Sequence, residues 1–177
     1  MTSAITNEGD LETKNPTRDV KADTGKHEEA KDRLINLDAK PEAITLDPAK
    51  TAVIVVDMQN DFGSKGGMFD RAGIDISGIQ KAVGPTAKVL ATARKLEIKV
   101  FYLKMGYTPD LSDLGAPNSV NRVRHLRLGV GEKITAPDGN ESRILIRDTW
   151  NTDIVPELEP QAGEGLATLT SGPNVRL

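Results

Sequence analysis

Residues 51–62, TAVIVVDMQNDF, constrain the fold more than any other stretch of this chain. Val53, Ile54, Val55 and Val56 form an unbroken β-branched run that ends abruptly in Asp57. Runs of about four to eight such residues predict strands buried on both faces, as in the parallel sheets of α/β proteins. An acid at the carboxyl end of such a strand lies where open α/β sheets hold their ligands. Two roles are open to Asp57. It can orient or deprotonate a nucleophile on a neighbouring strand end, or it can cap backbone amides in an Asx-type turn.

The next elements follow from spacing. Ile79, Val83, Ala87 and Leu90 recur at helical intervals, with Asp75 or Ser77 as the cap and an end near Lys95. Pro85 lies inside this pattern and should kink the helix or mark its first turn. Residues 98–105, IKVFYLKM, read as a second strand. Strand, helix and strand in this order make a βαβ unit with parallel strands and a right-handed crossover. Residues 106–140 show little periodicity and predict a long irregular segment. A short third strand is expected at 143–146 and a short helix at 154–158, started by Asp153. Residues 161–177 are small, polar and turn-rich.

Residues 1–40 are rich in Lys, Asp, Glu, Thr and Asn and poor in strong apolar side chains, which predicts a disordered charged tail. Within it, residues 27–37 (HEEAKDRLINL) could form a short helix with Leu34 and Leu37 on one side. The 177 residues suit one domain, and 37% hydrophobic content is enough for a core. A net charge of -3 without a basic stripe argues against nucleic acid as a partner. No stretch approaches the ~18–20 apolar residues of a membrane span, and the N-terminus has no apolar signal region, so a cytoplasmic location away from membranes is expected. With no cysteine there can be no disulfide, thiolate metal site or cysteine nucleophile.

Other motifs carry less. Gly63-Ser64-Lys65-Gly66-Gly67 lacks the Walker spacing and suits a flexible loop shaping a pocket. Asp61-Phe62-Gly63 matches the kinase DFG triplet by letters alone. His27 and His125 do not make a metal-ligand pair. His125 lies among Arg122, Arg124 and Arg127, either a solvated basic loop or a cluster that steers an anionic substrate. Trp150 is read as a packing anchor.

Taken together, TAVIVVDMQNDF, the glycine loop and residues 68–77 (MFDRAGIDIS) resemble the opening of isochorismatase-like cysteine hydrolases. Residues 106–115 (GYTPDLSDLG), 121–131 (NRVRHLRLGVG) and 147–158 (RDTWNTDIVPEL) are similar to the branch holding ureidoacrylate amidohydrolases and biuret hydrolases. The resemblance implies a three-layer α/β fold with a central parallel, Rossmann-like sheet. It further implies an Asp, a Lys and a Cys that together hydrolyse a ureide or amide C–N bond through a covalent acyl-enzyme, with no metal and no cofactor. Asp57 matches the family's acid. Lys104, Tyr107 and Arg124 are candidates for the substrate-binding wall. The expected partners are a small-molecule ureide or amide substrate and further copies in a homo-oligomer.

The pattern changes after Gly163. The family's lysine falls at or near Leu169, no lysine follows Lys133, and the cysteine is absent. The expected organisation is therefore a disordered tail over 1–40, a partial hydrolase domain over 41–163 and a non-family tail over 164–177. On this reading the chain is a truncated product, from a frameshift, retained intron or faulty gene model, holding only the N-terminal half of the family domain. Loss of strands would leave an apolar edge and a chain prone to aggregate. Two functions follow. One is an amidohydrolase inactive for want of Lys and Cys, and the other is a non-catalytic remnant that binds a full-length homologue or other partner.

Overall fold

The computed structural model describes residues 34–170. Ala52–Val56 (β3) and Lys99–Met105 (β4) form where the apolar runs predict them, and they pair in parallel with Val53 opposite Val100 and Val55 opposite Tyr102. Between them Ser77–Lys95 (α3) makes the crossover. The helix continues through Pro85. Gly84, on its N-terminal side, has no Cβ to meet the proline ring, which relieves the usual clash at that position. Val83, Ala87, Leu90 and Ala93 of α3 pack on Val53, Val55, Val100 and Tyr102, and residues 154, 155 and 158 complete this core.

The third strand of the sheet is Gly165–Leu169 (β7), parallel to β4, so the order is β3-β4-β7. It lies in the stretch expected to be a turn-rich tail. Its sequence, GLATL, is short and weakly apolar, and it is a strand because β4 offers it a pairing edge. An ion pair holds its start. Arg94 at the end of α3 donates through Nε and Nη2 to the two carboxylate oxygens of Glu164, at 2.8 and 2.9 Å. The same guanidinium reaches the Glu159 carbonyl and the Tyr102 hydroxyl. The fold is thus of the three-layer α/β class around a central parallel sheet.

Burial of β3 differs from expectation. One face is packed under α3, whereas Ile54 and Val56 on the other are 58% and 51% exposed, beside Phe101 at 44%. A β-branched run with no polar alternation cannot tell a one-sided strand from a two-sided one. What stands open is this apolar face as well as the outer strand edges.

The segment expected to be irregular contains Val120–Arg127 (α4), capped by the Ser119 hydroxyl, which accepts from Arg122 N at 3.2 Å. Beyond it Lys133–Thr135 (β5) and Glu141–Arg143 (β6) form an antiparallel hairpin outside the main sheet. The strand expected at 143–146 is therefore displaced. Residues 144–146 leave the hairpin and bury Ile144, Leu145 and Ile146 in a second core with Phe62, Met68, Tyr107, Leu114 and Val130. The helix expected at 154–158 shrinks to a 3-10 turn at Pro156–Leu158. Most of the helix expected over residues 27–37 lies outside the described residues. Its last three form Ile35–Leu37 (β1), paired antiparallel with Ile44–Leu46 (β2). Among the described residues no helix is long and apolar enough to cross a membrane.

Two short helices, Asn60–Gly63 (α1) and Met68–Arg71 (α2), flank the glycine loop. A Cβ at Gly67 would run into the Asn60 carbonyl, which is backbone and cannot swing away. Gly78, in the first turn of α3, faces open space. Gly67→Ala is expected to lower stability by about 1–3 kcal/mol through overpacking. Gly78→Ala is expected to raise it by roughly 0.5–1 kcal/mol through helix propensity. Urea denaturation of the two variants checks both signs.

Candidate active site

The carboxyl ends of β3 and β4 carry the candidate site, and Asp57 stands where the chain leaves the sheet. Its N–H still donates to the Leu103 carbonyl at 2.9 Å, continuing the ladder for one residue. Its φ is then +57°, a left-handed conformation uncommon for residues other than glycine, although Asp and Asn adopt it more readily than most. Such strain persists only where the surroundings over-determine it. The Asp57 carboxylate makes no hydrogen bond or ion pair with the described residues, so the backbone-capping role is not taken up. Asp57 is exposed at the surface, yet the neighbouring protein atoms desolvate its carboxyl enough to raise its pKa above the ordinary range.

Of the other candidates, Lys104 lies nearest to this end of the sheet. It follows Leu103 on β4, is 8% exposed, and lines a cavity of about 340 Å³ with Asn60, Trp150, Asp153 and Ile154. The carboxyl of Asp153 feels three influences. Burial raises its pKa most, the Lys104 charge lowers it, and Asp148 raises it. Tyr107 is instead fully buried in the second core, with its hydroxyl 2.9 Å from His125 Nδ1. That position withdraws it from a substrate-facing wall. Arg124 points from exposed α4 and is separate from the Lys104 cavity. The sequence groups these three residues, and the fold separates them.

His125 belongs to α4 and not to a loop, and burial lowers its pKa. Arg122 turns inward to the carbonyls of Leu111 and Gly115. The glycine loop does border a cavity, of about 580 Å³, with Gln80, Val83 and Ala87 on its other side. Its reach is limited because Gly66 N donates to the Asp70 carboxylate at 2.9 Å. Trp150 also lines the Lys104 cavity and is part of a 3-10 turn, Trp150–Thr152. Among the described residues no group of three or more His, Cys, Asp or Glu side chains is placed to hold a metal ion.

Residues 59–61 of the opening motif organise the surroundings of the candidate site in a way that sequence spacing does not assign. Gln59, Asn60 and Asp61 are all buried. Asn60 Nδ2 donates to the Trp150 carbonyl at 2.8 Å and thereby fixes one wall of the Lys104 cavity. Asp61 accepts from Met68 N at 2.8 Å, Leu145 N at 2.6 Å and Asn151 Nδ2 at 2.5 Å. One carboxylate thus ties the glycine loop, the turn after β6 and the Trp150–Thr152 turn together. The available signal was an unusual polar triplet between a β-branched strand and Phe62.

Burial of Asp61 pushes its pKa up to about 6, the three donors only partly opposing it. Between the ordinary value of 3.8 and about 6, the folded protein holds a proton that the unfolded chain has lost. Stability should therefore fall as pH rises through that window and level off above it. Asp61→Asn should flatten this slope, leaving the smaller contribution of the same sign from Asp57 and Asp153. It should also cost about 1–3 kcal/mol at neutral pH, because an amide N–H₂ would face the Leu145 donor. Thermal melts from pH 4 to 7 on both proteins test slope and offset together.

The chain matches the isochorismatase domain family over residues 51–169. This span includes β7, so family character continues past the boundary expected at Gly163. A ureidoacrylate amidohydrolase, RutB, of Agrobacterium fabrum (strain C58) is 39% identical over 136 residues, covering 77% of this chain and 58% of that protein. Its counterpart in Serratia proteamaculans is 37% identical over 130 residues, covering 73% and 51%. The chain spans about half the length of the curated relatives it matches. A solved cysteine hydrolase from Pseudomonas syringae pv. phaseolicola 1448A superposes with a TM-score of 0.52 at 28% identity, over 70% of this chain and 48% of that one.

Proposed function

The chain belongs to the isochorismatase family, and from that premise we propose a site organised for hydrolysis of the C–N bond of a small ureide or amide, with Asp57 as its acid–base group. The observation that carries this is the Asp57 carboxylate itself, unpartnered among the described residues, on left-handed backbone at the end of β3. A carboxylate whose pKa is raised takes a proton more readily near neutrality, which is what removing a nucleophile's proton requires. The substrate class rests on the ureidoacrylate amidohydrolases to which the chain is similar. Lys104 and Trp150 line the 340 Å³ cavity, which Asp57 does not line, so the cavity and the acid are separate features of this end of the sheet.

The reaction also needs a nucleophile, and these 177 residues contain no cysteine. The lysine expected at the end of β7 is Leu169, and no lysine follows Lys133. A hydroxyl such as that of Thr170 is a poor nucleophile without a dedicated base. The chain by itself is accordingly inactive in this reading. Purified protein incubated with ureidoacrylate or biuret should release ammonia at the rate of buffer alone. Turnover above that background, lost in Asp57→Asn, would overturn the inactive assignment and keep the acid.

A second reading, binding to a full-length homologue or other partner, draws on the exposed Ile54, Val56 and Phe101. Exposed contiguous apolar surface marks association sites. Co-purification with a full-length homologue that is lost in Ile54→Lys would support it, and no association with the unmodified chain would remove it.

A further inference from the structure

We infer that Gln59 is the positioning residue of Asp57, its side-chain amide taking the place of a strand so that the backbone can turn at the acid. The inference rests on the proposed role of Asp57 and adds the device that holds it.

In a parallel ladder continued past Asp57, the N–H of Met105 would donate to the Asp57 carbonyl, and the Met105 carbonyl would accept from the N–H of residue 59. Neither bond forms. Met105 N donates instead to Gln59 Oε1 at 2.7 Å, and Gln59 Nε2 donates to the Met105 carbonyl at 2.8 Å. One primary amide supplies both the acceptor and the donor that the missing strand would have offered. At neutral pH only Gln or Asn carries that pair of groups in one plane, and Asn is one methylene shorter.

The substitution frees the main chain of residues 58–60 for a different partner. Gln59 forms an antiparallel bridge with Ile154, Asn60 N donates to the Asp153 carbonyl at 2.9 Å, and Val155 N donates to the Met58 carbonyl at 3.0 Å. Gln59 is therefore a two-sided clamp. Its backbone holds the segment carrying Asp153, and its side chain holds the end of β4 next to Lys104. Asp57 lies between the last true ladder bond, to Leu103, and this clamp, and both ends of its turn are fixed. Gln59 is fully buried, so water cannot replace either bond.

The test uses the full chain with Gln59→Ala and Gln59→Glu, and it reads backbone and titration, not turnover. In Gln59→Ala, amide exchange at Met105 and Asp57 should quicken about tenfold or more, while Val55 and Val100 keep their protection. The Asp57 carboxyl, followed by ¹³C NMR, should move toward its ordinary titration range. Gln59→Glu when ionised should weaken this hold, because one carboxylate oxygen can still accept from Met105 N while the other repels the Met105 carbonyl. It should regain Met105 protection on acidification, when the protonated acid again offers one donor and one acceptor. An unchanged Asp57 titration in Gln59→Ala, or pH-independent Met105 exchange in Gln59→Glu, would overturn the inference. Uniform loss of protection across the sheet would also overturn it, reducing Gln59 to a general packing residue. None of these outcomes depends on the chain having a nucleophile, so failure here is distinct from failure of the hydrolytic reading.

Discussion

The pairing of β3 with β4, and the way it ends, is the constraint on which the rest of this structure depends. Five residues of β3 lie in register with β4, and one further bond is made from Asp57 N to Leu103. There the backbone changes hand. Had the ladder run on, Asp57 would be an ordinary strand residue with its side chain committed to one face of the sheet. Because a side-chain amide completes the ladder, the acid stands at a corner, with its carboxylate bonded to nothing else among the described residues. The strained φ is then a consequence of two fixed ends and needs no separate source of energy.

A second node lies just beyond, and it works by a different physical principle. Asp61 gathers three donors from segments far apart in sequence, and each of those donors would otherwise be a buried orphan. The cost is a carboxylate kept from water, visible as a raised pKa. Ser142 extends the network, donating to Asn151 Oδ1 at 2.5 Å. The loops around the candidate site are thereby held by polar contacts, whereas the sheet is held on α3 by apolar ones. The two cores meet at residues 58–62, so the opening motif serves both.

The sheet also has a face that the described residues leave uncovered. Parallel sheets are ordinarily covered on both sides, yet Ile54, Val56 and Phe101 remain exposed. Asp57 stands at the end of β3, and these 177 residues contain no cysteine. What these residues form is a strand-end corner bearing Asp57, with the sheet and the polar nodes that position it.

The sequence by itself determined the family, the βαβ order at the heart of the sheet, the strand end that bears Asp57 and the absence of a cysteine nucleophile. These are local or compositional: a β-branched run, a helical spacing, a motif, a count. Tertiary structure decided the remainder. GLATL is a strand only because β4 presents an edge, and its anchor, Arg94 with Glu164, spans residues no periodicity connects. Residues 120–127 are a helix although their apolar side chains are largely exposed, so no buried stripe announces it. Tyr107 is drawn into a core, and Lys104 is directed to a cavity, by packing between segments distant in the chain. Gln59 is the sharpest case. Its residue type is visible at once beside Asp57, but its role exists only where Met105 lies opposite, because a hydrogen bond between residues 46 apart leaves no trace in local pattern.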